Sequence, residues 1–253
     1  MTRKAESNLS PTPENVMPYG GKGAKHTQVR QMFDSIAGHY DLMNTVMTFG
    51  LHRLWRDKAL RMLPENAARI LDVATGTGDV AFRLHHLYPD AKITGIDLSE
   101  GMLDVARRKA KERKIGKEVE FVCADSLDLP FGTASFDAVT VAYGVRNFER
   151  LSEGYAEMLR VLRPGGMICV IELSEPRNSL IKALYKIYSR GVIPVAGRIV
   201  SRDPRAYTYL PKSISRCPAG DDMCRLMRQA GFRDARWKTL TFGVVTIYTA
   251  TKP

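Results

Sequence analysis

The residues best suited to chemistry in this 253-residue chain gather in one turn, Asp72-Val73-Ala74-Thr75-Gly76-Thr77-Gly78-Asp79. The turn follows an apolar run and opens a helical pattern. Gly76 and Gly78 therefore let a ligand approach backbone N–H groups near a helix amino terminus. Gly76, Gly78 and Ala81 also satisfy the loose dinucleotide fingerprint G-x-G-x-x-G/A. Asp97 lies 20 residues beyond Thr77, where an acid that binds ribose hydroxyls is expected for more than one cofactor class. Asp79 bears on the choice. Beside a pyrophosphate its carboxylate would be repelled by about 1–4 kcal/mol, whereas a ligand with a cationic amine would suit it. An acid in the first turn of a helix is equally well explained by the helix dipole.

S-adenosyl-L-methionine meets these requirements, since its methionine part carries an ammonium and a sulfonium and no phosphate. Asp125 and Ser126 follow the third predicted strand and can receive an adenine edge; a local Asx turn is the plainer reading of Asp125. Arg146 and Asn147 follow the fourth. A buried arginine there needs a partner, and Asp41, Glu172 and a substrate oxygen are the candidates. Met43, Met47 and Trp55 read as core, and His52 as a structural histidine.

The elements that must position these groups alternate. Strands are predicted at 69–74, 92–97, 119–124, 136–142 and 167–172, with helices at 79–88, 99–114 (capped by Ser99) and 151–162. Arg163–Gly166 reads as a turn. Two or three helices precede the first strand, between Gln28 and Leu63. An insert at 174–218 interrupts the alternation. A helix at 221–230 and two β-rich runs, Ala235–Thr241 and Val244–Thr251, read as a closing antiparallel hairpin. The fold class is α/β and Rossmann-like, with a mostly parallel sheet and its crevice at the strand carboxyl ends. Residues 1–25, rich in Ser, Pro and Gly, read as an unstructured tail before a single domain at 26–253. Its segments are helices at 26–64, a cofactor core at 65–173, the insert at 174–218 and a closing unit at 219–253.

Three further segments are more specific: YDLMNTVMTFGLHRLW from Tyr40, YGVRN from Tyr143, and RVLRPGGMICVIELS from Arg160. With DPRAYTYLPKSI from Asp203, they closely resemble the ubiquinone/menaquinone biosynthesis C-methyltransferases, within the class I adenosylmethionine-dependent methyltransferases. The resemblance implies a seven-stranded sheet. It also implies adenosylmethionine contacts at Thr77, Asp97, Asp125 and Ser126, in addition to the glycines Gly76 and Gly78. Ala142 stands where some members have a cofactor-contacting serine. The implied reaction methylates a ring carbon of a prenylated quinol. General likeness favours demethylmenaquinol as substrate, with the ubiquinone-pathway benzoquinol as the alternative.

Deprotonating a quinol hydroxyl pushes electron density onto the adjacent carbon. Arg146 would bind the developing phenolate and Asn147 would orient a hydroxyl or water. Tyr40, Asp41 and a water are equal candidates for the base.

Charge is uneven. Residues 177–253 hold 15 Lys and Arg against 4 Asp and Glu, whereas residues 1–176 hold 23 of each. That pattern favours an anionic partner, and a peripheral contact with an anionic membrane surface is the expected one. In 179–190, Leu180, Leu184, Ile187 and Tyr188 can share a face between Lys182, Lys186 and Arg190, as a lid, a membrane face or a helix packed on the sheet. No RNA-binding module is apparent, so nucleic acid is not expected. An RNA methyltransferase, a dinucleotide oxidoreductase and a non-catalytic partner in a quinone-synthesising assembly are the rival readings, and a homo-oligomer is left open. No apolar run suits a signal peptide or a membrane span, so a cytoplasmic protein with reduced cysteines and no metal site is expected.

Overall fold

The computed structural model describes residues 13–21, 23–192 and 203–253. The stretch 1–12 of the expected tail and 193–202 of the insert lie outside the described residues, as does the side chain of Arg190.

Apolar runs bounded by turn residues form the strands β1 (Arg69–Val73), β2 (Lys92–Asp97), β3 (Val119–Cys123), β4 (Phe136–Ala142), β5 (Leu162–Leu173), β6 (Arg233–Leu240) and β7 (Val245–Thr251). They make one seven-stranded sheet in the order β3-β2-β1-β4-β5-β7-β6. β1 to β5 pair in parallel, and β7 runs antiparallel to both β5 and β6. This is the class I methyltransferase architecture expected from the sequence. Strand order reverses between β1 and β4, and their carboxyl ends open the crevice between them.

The helices are α1 (Lys25–Ile36), α2 (Tyr40–Thr48), α3 (Leu51–Leu60), α4 (Asp79–Leu87), α5 (Glu100–Glu112), α6 (Leu151–Val161), α7 (Ser179–Ile187), α8 (Pro204–Arg216) and α9 (Asp221–Gln229). Ser99 caps α5 as predicted, its side chain accepting from Met102 N at 3.1 Å. Alternate residues of each strand enter opposite cores. Val139 and Val141 of β4 join one with Tyr155, Ile168 and Val170; Ala138 joins the other with Ala59, Leu60, Cys169 and Ile171. A third cluster joins Met32, Ile36 and Met43 of the leading helices to Met102 of α5 and Tyr207 and Tyr209 of α8. Leading helices and insert thus share a small core of their own.

Three expectations change. The turn at 163–166 lies within β5, where the pairing shifts register between Phe136 and Ala138 and Gly165 has φ +77°. Gly166 is packed so closely that a β-carbon would come within 2.8 Å of the Arg163 carbonyl, so the chain bulges without leaving the sheet. Residues 13–25 fall in the stretch expected to lack structure, yet Pro13–Asn15 forms a 3-10 turn and Glu14 accepts from Leu151 N at 2.9 Å. Cys123 ends an apolar run whose sequence reads as a buried strand, yet it is exposed, because β3 is an edge strand.

Gly78 shows how the fold shapes the turn after β1. It precedes α4 with φ +82°, and a β-carbon there would lie 2.8 Å from Phe121 and 3.0 Å from Phe82. Gly78→Ala combines left-handed strain with overpacking and should cost about 2–4 kcal/mol in urea unfolding. Unchanged stability would mean that the two rings do not constrain the turn.

Candidate functional site

The crevice has two adjoining halves that share Tyr40, Gly76, Ala142, Tyr143 and Asn147 as a common wall. The strand-end half is built from the ends of β2 and β3. Asp97 lies there with one oxygen accepting from Gly76 N at 2.8 Å and the other from Ser99 N at 2.9 Å. Burial lifts its carboxyl to about 6 against the lowering effect of these backbone donors. Ile96, Leu98, Met102 and Leu127 give this half apolar surfaces suited to a flat ring, and Asp125 and Ser126 close its edge. One Asp125 oxygen accepts from Leu127 N at 2.9 Å, so the local turn and the place in the wall coexist.

The charge of this half discriminates between ligands. Asp97, Asp125 and Glu149 line it together with His26, whose Nδ1 lies 2.8 Å from Glu149, and among the described residues no Lys or Arg does. A pyrophosphate would face three carboxylates with no lysine or arginine to offset them, while a ligand carrying an ammonium and a sulfonium would be favoured. The residues present therefore fit S-adenosyl-L-methionine better than a dinucleotide. Asp79 is not the group that decides this. Its carboxylate is held by Arg56 at 3.2 Å and Lys109 at 2.9 Å, with its charge already matched.

Other predicted residues are brought close in unexpected ways. Thr77 Oγ1 donates to Asp41 Oδ1 at 2.5 Å, and Asp41 Oδ2 pairs with Lys109 at 2.5 Å. Asp41 thus latches α2 to the glycine turn and to α5, with both oxygens engaged. Gly78 faces packing and lines neither half, whereas Gly76 lines both. Tyr40 stands over the turn, its ring 3.8 Å from where a β-carbon on Gly76 would be. Burial raises the Tyr40 hydroxyl above the ordinary tyrosine value, which keeps it protonated.

The helix-walled half is lined by α2, α3, α7, α8 and the loop after β4. Arg146 lies in that loop and is 6% exposed. Its partner is Glu172 at the end of β5, with Nη1 donating to Oε1 at 2.7 Å; Asp41 does not reach it. The same Nη1 donates to the Tyr143 carbonyl, and Nε is buried with no hydrogen-bond partner. Asn147 Oδ1 accepts from the Tyr209 hydroxyl at 3.1 Å, joining the loop to α8. Lys25, buried at the start of α1, donates to the carbonyls of Arg146 and Phe148, each at 3.1 Å. Burial brings its ammonium down to about 8.

Sequence reasoning missed Lys25, because a lysine in a polar stretch reads as solvated. It also missed Tyr143, which takes φ +60°, a backbone state tyrosine rarely adopts. His52 lines the same half, with Nδ1 2.6 Å from Thr48 Oγ1, and burial pushes it down to about 4. It is a neutral imidazole at neutral pH and a weak base.

Residues 22–252 match the ubiE/COQ5 methyltransferase family. The chain is 43% identical to a demethylmenaquinone methyltransferase of Bacteroides fragilis, over 94% of this chain and 98% of that protein. It is 42% identical to a mitochondrial 2-methoxy-6-polyprenyl-1,4-benzoquinol methylase of Caenorhabditis elegans, over 90% and 81%. Among solved structures, the [4+2]-cyclase SpnF has the same fold, with TM-score 0.68, 21% identity and coverage of 92% and 99%. A possible histamine N-methyltransferase of Thermotoga maritima follows with TM-score 0.62, 18% identity and coverage of 88% and 99%.

Asp72 supports the glycine turn from below. Its oxygens accept from Thr75 Oγ1 at 2.6 Å and Thr140 Oγ1 at 2.7 Å, and burial lifts its carboxyl to about 7. Because the folded value lies above the unfolded one, this group's contribution to stability is full below about pH 4. It is lost as pH rises toward 7. Asp72→Asn should therefore lose less stability than the wild type between about pH 5 and pH 8 in urea unfolding. Parallel profiles would show that Asp72 does not titrate in that window.

Proposed function

The chain belongs to the ubiE/COQ5 methyltransferase family, and from that premise we propose that it methylates a ring carbon of a prenylated quinol, using S-adenosyl-L-methionine. The preferred substrate is demethylmenaquinol, the activity named for the Bacteroides fragilis relative. The benzoquinol reaction named for the Caenorhabditis elegans relative is the second reading. The single observation that carries the proposal is the divided crevice, with a carboxylate-lined half that has no lysine or arginine among the described residues, adjoining a half that contains a buried arginine.

Gly76, Asp97, Asp125 and Ser126 would hold the cofactor, with Asp97 accepting from the ribose hydroxyls. Bound there, S-adenosyl-L-methionine supplies an electrophilic methyl group. The chain's own residues prepare the carbon that receives it. Arg146 is held by Glu172 and presents its guanidinium to the phenolate that forms when a quinol hydroxyl loses its proton. Asn147, fixed by Tyr209, orients a hydroxyl or a water. Tyr40 covers the junction of the halves and excludes solvent. Asp41 is committed to Thr77 and Lys109, which favours a water as the immediate proton acceptor. Fixing the two reactants in adjoining halves supplies much of the rate enhancement.

The prenyl tail needs an apolar exit. α7 buries none of its residues, and Leu180 and Ile187 are 70% and 69% exposed. α7 is therefore not simply packed on the sheet. Tyr188 leaves this face: its hydroxyl donates to the Met47 carbonyl at 2.6 Å, and it lines the crevice. Phe49, 82% exposed, continues the apolar surface beside it, their rings 6.3 Å apart. Lys186 flanks this surface, and Lys182 pairs with Glu175. An anionic bilayer is the partner that suits exposed apolar side chains set in a basic region. Among the described residues no helix is long and apolar enough to cross a membrane, so the contact would be peripheral.

Purified protein given adenosylmethionine and each reduced precursor should methylate demethylmenaquinol at carbon, read by mass spectrometry of the product. Methylation of neither quinol, with RNA methylated instead, would overturn the proposal. Asp97→Ala should weaken S-adenosylhomocysteine binding at least tenfold by calorimetry while the fold persists. Unchanged affinity would remove Asp97 from the site. On vesicles, Leu184→Ser with Ile187→Ser should reduce co-sedimentation with anionic lipid and leave that calorimetric affinity intact. Equal retention of variant and wild type would exclude α7 as the membrane face.

A further inference from the structure

Among the described residues, the buried Tyr143 hydroxyl and Arg146 Nε, both in the helix-walled half, have no hydrogen-bond partner. Four other tyrosine hydroxyls show the usual arrangement. Tyr88 donates to the Leu60 carbonyl, Tyr188 to the Met47 carbonyl and Tyr209 to Asn147, while Tyr248 accepts from Gly220 N. A buried unpaired hydroxyl is costly, and Tyr143 carries it on a left-handed backbone that adds strain. Such a combination in a crevice wall is expected where a ligand completes the hydrogen bond.

The two orphan atoms belong to one short, rigid segment. Tyr143 N donates to the Ile171 carbonyl at 2.7 Å, and the Tyr143 carbonyl accepts from the Arg146 guanidinium that also pairs with Glu172. Their relative position is fixed by the backbone of the loop and by the end of β5. Burial raises the Tyr143 hydroxyl far above the ordinary value, so it remains a neutral donor across the working pH range.

We propose that Tyr143 is a specificity-determining residue that binds the second ring oxygen of the acceptor. Arg146 Nε takes the oxygen that becomes the phenolate, and the Tyr143 hydroxyl takes the other. The site thereby selects a ring with two oxygens over a ring with one. The inference rests on the quinol reading above and adds to it a count of oxygens and a residue for each.

The test uses two-ring analogues of the acceptor, a 1,4-naphthalenediol and the matching 1-naphthol, kept under reducing conditions. Binding to the protein saturated with S-adenosylhomocysteine is followed by tryptophan fluorescence or calorimetry. The wild type should prefer the diol by roughly tenfold or more. Tyr143→Phe should bind both rings about equally, keep its affinity for S-adenosylhomocysteine, and melt no lower than the wild type. A purely structural tyrosine would instead lower the melting temperature and leave the preference intact. Retained discrimination in Tyr143→Phe would overturn the assignment alone. A wild type that binds neither ring, nor methylates either full-length quinol, would overturn the quinol reading and this assignment with it.

Discussion

The buried ion pair between Arg146 and Glu172 organises the site. Arg146 is 6% exposed and Glu172 only 2%, so both charges have given up most of their water. Such a pair seldom stabilises a fold more than apolar side chains of similar volume would. Its value here lies in placement. Glu172 comes from the end of β5, and Arg146 from the loop after β4, so the pair ties the loop to a rigid strand. The same guanidinium holds the Tyr143 carbonyl, and Lys25 on α1 caps the loop's carbonyls from the other side. Sheet, loop and leading helix meet at one charge pair.

From that anchor the crevice divides its work by charge. The strand-end half is lined by three carboxylates and, among the described residues, by no lysine or arginine, and the helix-walled half contains Arg56 and Arg146. Under the proposed function, a cationic donor and an acceptor that passes through a phenolate would each be favoured on its own side. The latch of Asp41 to Thr77 and Lys109 closes α2 over the junction. Asp34 on α1 reinforces it, accepting from Ser99 Oγ at 2.5 Å and Gly101 N at 3.0 Å at the start of α5. The leading helices are therefore held by carboxylates at the turns that also shape the strand-end half.

Much of the sheet was legible because β1, β2 and β4 are short apolar runs with clear turn residues on both sides. Ser99 was legible as a cap for the same local reason. β5 was cut short because Arg163–Gly166 looks like a turn, and only pairing with β4 and β7 shows the chain bulging within the sheet. Asp97 and Arg146 could be assigned to the crevice wall from their places at strand ends. The partner of Arg146 was narrowed to two acids and a substrate oxygen, and choosing Glu172 required the third dimension. Asp79 stays open in the sequence between a ligand contact and a helix-dipole acid, because Arg56 and Lys109, its partners, lie 23 and 30 residues away. Lys25 and Tyr143 were invisible for a stronger reason: burial of a lysine and a left-handed tyrosine both run against local preference, and only the surrounding packing sustains them.

The central claim is that the Arg146–Glu172 pair is kept for chemistry and adds little to stability, and a double-mutant cycle tests it. Arg146→Met, Glu172→Met and the double variant would be compared by urea unfolding and by single-turnover methyl transfer to the quinol. Each single change should cost about 3–5 kcal/mol by leaving a buried charge unpaired, and the double variant should recover most of that loss. Methyl transfer should stay lost in the double variant although its fold and S-adenosylhomocysteine affinity return. A stable double variant that transfers the methyl group at the wild-type rate would contradict the account.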